Sequence, residues 1–195
     1  MDEFDILKRD QGAMFETAPT NTARPEEVQR IIELQAQWPN YVVEREESDI
    51  KPLIEQGLVA VVRDEQGNII ASLYKEVMKG QEATLLAERV YRWGGVSADE
   101  KSKGSKRGLV TLIKRESAEA RAKGMRAILT SANPPVGDLF SRNGWQKLTY
   151  EECSRQYPEY LGLYTNKNNS LRSQPGYYEK QNFYILRPAE PPKAE

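Results

Sequence analysis

The sequence contains no histidine and only one cysteine, Cys153, among its 195 residues. Without histidine, the chain cannot form a Ser-His-Asp or Cys-His catalytic group, nor a zinc site that uses imidazole. A lone cysteine can form neither an internal disulfide nor a four-cysteine zinc site. Any catalytic acid or base must therefore be Asp, Glu, Lys, Tyr, Cys153 or water. This excludes most hydrolase mechanisms, and no metal site is predicted.

An excess of charge and long hydrophobic runs are also missing. The net charge is −1 and the pI about 5.8, which gives no electrostatic reason to expect nucleic acid or a membrane as a partner. No apolar stretch approaches the roughly 18 residues of a membrane span. The first five residues are acidic and do not resemble a signal peptide. Together with the single cysteine, this predicts a cytoplasmic protein.

The pattern of apolar residues predicts an α/β fold with a mixed, mostly antiparallel central sheet flanked by helices. Pro25 suits a first helical turn, and a second helix is predicted from Ser48, as N-cap, to Gly57. Three antiparallel strands, a helix, a strand, a helix and a last strand follow; their predicted ranges are 58–62, 69–74, 83–96, 106–123, 127–130, 134–143 and 182–187.

The predicted domain covers residues 25–187, preceded by an arm over 1–24 in which Met14–Ala18 form a first strand. Residues 188–195 are predicted to be a flexible tail. Residues 151–181 form an insert of unusual length between the last two strands, and such long segments are uncommon unless functional or disordered. The insert is rich in tyrosine: Tyr157, Tyr160, Tyr164, Tyr177 and Tyr178.

Two segments about thirty residues apart carry recognisable motifs. The first places Val96, Lys101 and Gly104 at fixed spacing, and the second does so for Asn133, Leu139, Phe140, Gly144 and Trp145. In this spacing they resemble the signature segments of the GNAT superfamily of N-acyltransferases, V-x-x-x-x-Q/R-x-x-G-x-G/A and N-x-x-x-x-x-L-Y/F-x-x-x-G-F/W, with Lys101 at the Q/R position. The resemblance covers about three-quarters of the chain and implies a GNAT-like fold, with two splayed parallel strands at an acyl-CoA site.

The resemblance implies that the turn before the helix binds the pyrophosphate of acetyl-CoA. A helix start favours anions, and glycine at 104 lets the backbone approach a phosphate closely. Lys106 departs from the family's Gly or Ala; its side chain either contacts phosphate or narrows the pocket. The Gly94–Gly95 pair would ease a bulge in the strand before the turn, or be a plain kink. The predicted cofactor-binding residues are Val96, Lys101, Ser102, Lys103, Gly104, Ser105, Lys106 and Asn133.

Acyl transfer to an amine benefits from a general base. By resemblance the candidate is Glu88, on the strand before the turn; a surface ion pair between Glu88 and Arg92 is the alternative. Phe140 stands where the family often has a proton-donating tyrosine. We expect it to pack against Trp145, which leaves water or a tyrosine of the insert as the donor.

These observations predict an N-acetyltransferase that moves an acetyl group directly from acetyl-CoA to a small-molecule or peptide amine. A catalytically silent relative that binds CoA or a protein partner is the alternative. A third hypothesis is that the chain is a protein-interaction module that binds no small-molecule ligand. Homodimer formation stays open, and the insert either shapes the acceptor site or covers the sheet edge.

Overall fold

The computed structural model describes residues 22–39, 42, 45–78, 80–81, 89–131, 133–165 and 181–187. These residues form six α-helices and six strands. No helix among them is both long and apolar enough to cross a membrane. The elements are α1 Val28–Ala36 (after a 3-10 turn at Pro25–Glu27), α2 Glu47–Glu55, β1 Val59–Arg63, β2 Ile69–Val77, β3 Val90–Ala98, α3 Ser105–Ala122, β4 Arg126–Ser131, α4 Pro134–Arg142, β5 Gln146–Leu148, α5 Tyr150–Gln156, α6 Pro158–Thr165 and β6 Asn182–Leu186.

The strands form one mixed sheet in the order β1-β2-β3-β4-β6-β5. Neighbouring strands are antiparallel except β3 and β4, which are parallel and connected through α3. The mixed, mostly antiparallel sheet predicted from the sequence is therefore confirmed. A parallel pair requires a crossover, and the long α3 supplies it.

Helices cover both faces of the sheet. On one face, α3 and α4 enclose the main hydrophobic cluster, to which α3 contributes Leu112, Ile113 and Ala120 at helical spacing. On the other face are two separate clusters, one beneath α1 and α2 and one beneath α5 and α6. Between these two clusters the same face of the sheet carries the polar side chains of Glu76 and Arg92, and we call this region the polar strip.

Most predicted elements lie within a few residues of those observed. Helix α2 begins at Glu47 with Glu46, not Ser48, as its N-cap, and the Glu46 amide donates to the Asp49 carboxylate at 3.4 Å, which is one half of a capping box. The predicted strand at 14–18, the first part of the predicted strand at 83–96, and the tail at 188–195 lie outside the described residues. Thr22, in the predicted arm, forms an antiparallel bridge with Ala60.

Candidate acyl-CoA site

Strand β3 contains a bulge just before the predicted phosphate turn. Ser72 pairs with Ser97 and Tyr74 with Gly94, so two residues of β3, Gly95 and Val96, lie opposite one residue of β2. Gly95 has φ +57°, which a residue with a side chain rarely adopts. The bulge that the double glycine was predicted to ease is therefore confirmed.

The parallel strands β3 and β4 separate after a short ladder. They pair at only three positions, the last being Arg92 with Ile128, whereas β3 continues to Ala98 and β4 to Ser131. From Trp93 onwards, the edge of β3 that faces β4 therefore has no strand partner among the described residues. The splayed strands that the family resemblance implied are confirmed. We call this opening the slot, and Arg92 with Ile128 its vertex.

Asp99, which is 7% exposed, stabilises the turn at the open end of the slot. Its carboxylate accepts hydrogen bonds from Arg30 (2.5 Å), the Lys101 amide (3.0 Å) and the Ser102 hydroxyl (3.0 Å). Burial alone would raise the pKa of Asp99, but these hydrogen bonds outweigh it and lower the pKa. Asp99 therefore stays ionised and fixes the shape of the turn.

The same turn presents backbone amides with no partner. Helix α3 begins after Gly104, which has φ +88°, and no side chain caps the helix. Within the described residues, the amides of Lys103, Gly104 and Lys106 donate no hydrogen bond, and the ammonium groups of Lys101, Lys103 and Lys106 form no ion pair. An added Cβ at Gly104 would meet nothing within 4 Å. Three open amides at a helix start, surrounded by lysines, have the geometry and charge that favour an anion.

The remaining predicted cofactor residues surround this site in different ways. Val96 is half-buried in the bulge and packs against the main cluster, and Ser105 is buried at the first position of α3. The Lys106 side chain is exposed. Asn133 lies before α4, beyond the end of β4, and its side-chain amide makes no hydrogen bond within the described residues.

Phe140 is a core residue, as expected. It is fully buried, and its ring meets Trp145 edge-on at 5.0 Å between centroids. The tyrosine whose hydroxyl approaches the first turn of α4 comes instead from β6: a Cβ at Gly137 would lie 1.8 Å from the hydroxyl oxygen of Tyr184. Burial and then the Asp138 carboxylate raise the pKa of Tyr184, so its phenol is protonated at neutral pH.

The described part of the insert forms α5 and α6. The Tyr157 hydroxyl contacts Gln146 (3.3 Å) and Arg187, and the buried Tyr160 interacts with Arg126. Both tyrosines belong to the cluster beneath these helices. This placement favours a covering role for the two residues. The hydroxyls of the other three tyrosines of the insert lie outside what the structure describes.

The polar strip on the α1–α2 face reaches the vertex of the slot. It carries a network that sequence reasoning missed: Arg92 donates to Glu76, Arg45 lies 3.7 Å from the same carboxylate, and Arg45 donates to the Tyr74 hydroxyl at 3.0 Å. Arg92 is 2% exposed and binds Glu76, so it does not lie at the surface, as the alternative of a surface pair with Glu88 assumed. Glu88 itself lies outside the described residues. The period-two alternation of β2 could have placed Glu76 with Tyr74, whereas Arg45 precedes α2 and has no periodic signal.

Searches with the sequence alone find no matching family model and no matching curated protein. The structure, however, resembles solved structures that include complexes with CoA and a named N-acetyltransferase. Rv2747 from Mycobacterium tuberculosis, solved in complex with CoA, superposes with a TM-score of 0.58 at 15% identity, covering 87% of this chain and 99% of that chain. A chimera of the spermidine N-acetyltransferase SpeG from Vibrio cholerae and hSSAT gives 0.53 at 15% identity over 85% and 92% of the two chains.

N-acetylglutamate synthase from Neisseria gonorrhoeae, complexed with coenzyme A and N-acetyl-glutamate, gives a TM-score of 0.58 at 12% identity and covers 88% of this chain. This chain spans only 35% of the length of that synthase chain. At such identities the likeness establishes the fold. The GNAT-like fold implied by the two motifs is therefore confirmed.

Proposed function

We propose that this protein is an acetyl-CoA-dependent N-acyltransferase. The observation that carries the proposal is the set of three open amides, at Lys103, Gly104 and Lys106, placed at the mouth of a slot between two separated parallel strands. The open amides would bind a pyrophosphate, and the unpaired edge of β3 would bind an extended ligand that carries amide groups of its own. The fold-level relatives that were solved with CoA support the same assignment.

The residues of this chain fit the parts of acetyl-CoA in order along the slot. Lys101, Lys103 and Lys106, with the amides of the turn, would hold the phosphates. Val96 and the free edge of β3 would hold the pantetheine arm, and the Asn133 amide would contact it from the opposite side. Bound acetyl-CoA supplies an activated thioester. In the reaction a C–N bond forms and the C–S bond breaks, while a proton leaves the amine and another reaches the thiolate.

Two proton transfers must be assigned to the chain or to water. We propose Glu88 as the base, because the strand that contains Val90 begins just after it and leads to the vertex. We propose Tyr184 as the group that keeps a proton available to the thiolate, since Phe140 cannot donate one. Its hydroxyl lies against Gly137, one helical turn before Phe140.

Two measurements on the purified chain test this function. Isothermal titration calorimetry with acetyl-CoA tests the phosphate turn. Release of free CoA, followed with a thiol-reactive chromophore in the presence of a panel of amines, tests turnover. The protein's own thiol should not react with the chromophore, because Cys153 is fully buried. Burial, with a smaller effect of Glu159, also raises the pKa of this thiol to about 11.

We expect acetyl-CoA to bind and at least one class of amine to release CoA. An absence of binding at millimolar acetyl-CoA would refute the assignment. Binding without release for any amine would favour the silent relative that binds CoA. The cytoplasmic location, a small-molecule or peptide amine as acceptor, and a homodimer remain predictions of this proposal.

A further inference from the structure

The polar strip reaches the vertex of the slot, the end at which the proposed binding order places the thioester and therefore the acceptor amine. Arg92 is the last residue of β3 that pairs with β4, and its guanidinium binds Glu76 on the α1–α2 face. Two residues further on, Gly94 contacts the Tyr74 hydroxyl so closely that a Cβ would lie 2.5 Å from that oxygen. Tyr74 and Glu76 therefore lie beside the vertex.

Arg45, beside the vertex, has a guanidinium with hydrogen-bond donors that are not used. Its side chain is 12% exposed, and its guanidinium lies over the Tyr74 ring at 5.3 Å from the centroid. Within the described residues it makes one hydrogen bond, to the Tyr74 hydroxyl, while its oxygen neighbours in Glu76 and Asp49 are 3.7 and 3.9 Å away. Its buried Nε has no partner. A guanidinium has five N–H donors, so most of its hydrogen-bonding capacity is unused.

Gln35 is a second unpartnered group at the same place. It lies on α1 and is 3% exposed, yet neither its amide nitrogen nor its amide oxygen has a hydrogen-bond partner. The nitrogen would lie 2.6 Å from a Cβ on Gly95, and the Tyr74 ring approaches the same point equally closely. A buried amide without a partner is costly in a folded protein. Two such groups, Gln35 and Arg45, both next to Tyr74, indicate a ligand.

We propose that the acceptor is an amine that also carries a carboxylate, and that Arg45 and Gln35 bind this carboxylate. The inference rests on the proposed function, because only that function calls for an acceptor at the vertex. A carboxylate accepts from several donors of one guanidinium, which Arg45 offers and Tyr74 leaves available.

The position of Arg45 also limits the distance between the amine and the carboxylate. Tyr74, to which Arg45 donates, lies against Gly94 just past the vertex, so a carboxylate held by Arg45 is close to the slot. An amine that reaches the slot from there must be only a few bonds away. α-Amino acids meet this requirement, whereas polyamines have no carboxylate for Arg45.

The test compares α-amino acids with their own carboxamides, for example L-glutamate and L-alanine against L-glutamate α-amide and L-alaninamide. An α-carboxamide keeps the side chain and the amine but removes the negative charge of the α-carboxylate, which in the alanine pair is the only negative charge. Its amine has the lower pKa, so a preference for the acid cannot arise from amine ionisation. Two readouts are used: kcat/KM from CoA release, and the melting temperature of the CoA-loaded protein with each compound.

We expect at least one amino acid to exceed its carboxamide by about tenfold or more in kcat/KM and to raise the melting temperature where the carboxamide does not. Arg45→Gln should remove this preference, and Arg45→Lys should keep part of it. Lys51→Gln, which removes an exposed positive charge from α2, is the matched control and should keep the preference. All these variants should still bind acetyl-CoA.

Three results would overturn the inference. One is equal or better use of the carboxamides or of spermidine. Another is an Arg45→Gln variant, folded and binding acetyl-CoA, that still prefers the acid. The third is a protein that binds acetyl-CoA normally but responds to no amino acid in either readout. Loss of acetyl-CoA binding in the wild type would instead refute the proposed function itself.

Discussion

The predicted phosphate turn can be tested by comparing two glycines that have similar backbone conformations and similar open surroundings but lie in different turns. Gly104 at the start of α3 has φ +88°, and Gly67 in the turn between β1 and β2 has φ +84°; a Cβ added at either meets nothing within 4 Å. Valine at both positions is therefore strained by its backbone conformation and not by its neighbours. Only at Gly104 would the added methyl groups occupy space that a phosphate needs.

The expected magnitudes follow from this geometry. A left-handed conformation costs a non-glycine residue about 1–3 kcal/mol, so Gly67→Val and Gly104→Val should lower the melting temperature by about 2–12 °C, and by similar amounts. Acetyl-CoA at about 100 times its Kd adds about 2.7 kcal/mol to wild-type stability, equivalent to about 5–11 °C. Gly67→Val should keep that increase. A Gly104→Val variant with about 100-fold weaker binding would retain only about 0.4 kcal/mol of it.

Differential scanning fluorimetry with and without acetyl-CoA gives both quantities from one preparation. Calorimetry on the same samples separates affinity from stability. If Gly104→Val keeps the acetyl-CoA shift of Gly67→Val, no phosphate approaches Gly104 and the motif match is coincidental. If Gly104→Val is far less stable than Gly67→Val, the turn has a structural role that the open space around Gly104 does not show.

Three further substitutions test other parts of the site. Gln35→Met should raise the free energy of unfolding by about 1–2 kcal/mol in chemical denaturation, because it removes an unpaired buried amide, while lowering turnover; a loss of stability would contradict this. Asp99→Asn should cost about 1–3 kcal/mol and weaken acetyl-CoA binding. The folded pKa of Asp99 is lowered, so this contribution is complete above its unfolded pKa of about 3.9 and is lost as the pH falls through the folded pKa; wild type and variant should therefore converge in stability at low pH. Tyr184→Phe should lower kcat about tenfold with acetyl-CoA affinity unchanged, and full activity in that variant would exclude Tyr184 as the proton source.

The features that the sequence predicted well are those encoded within a few neighbouring residues. The helix at Ser105–Ala122, the bulge at Gly95 and the turn at Gly104 each depend on a local pattern of apolar residues or glycines. The separation of β3 from β4 was also anticipated, but only through the family resemblance. No local pattern specifies that two parallel strands stop pairing at Arg92.

The interactions that hold the site depend on residues far apart in the chain. Asp99 is ionised and buried because Arg30, 69 residues earlier, donates to it. Arg45 reaches Tyr74 from the loop before α2, 29 residues away. Such contacts depend on how α1 and α2 pack on the sheet, which hydrophobic periodicity alone does not determine. Motif matching therefore pointed to the turn before α3, but not to Asp99, which holds that turn, nor to the polar strip.

A sequence also assigns polar residues to the surface by default, and this assumption fails where the site lies. Arg92 in β3 and Gln35 in α1 are polar residues, yet they are only 2% and 3% exposed. Burying a polar group is unfavourable unless something compensates, so sequence reasoning from hydrophobic pattern misplaces such residues. Arg92 finds its compensation in Glu76, whereas Gln35 has no partner among the described residues. That unmet hydrogen-bonding capacity, at the point where strip and slot meet, is the physical reason to look for the acceptor there.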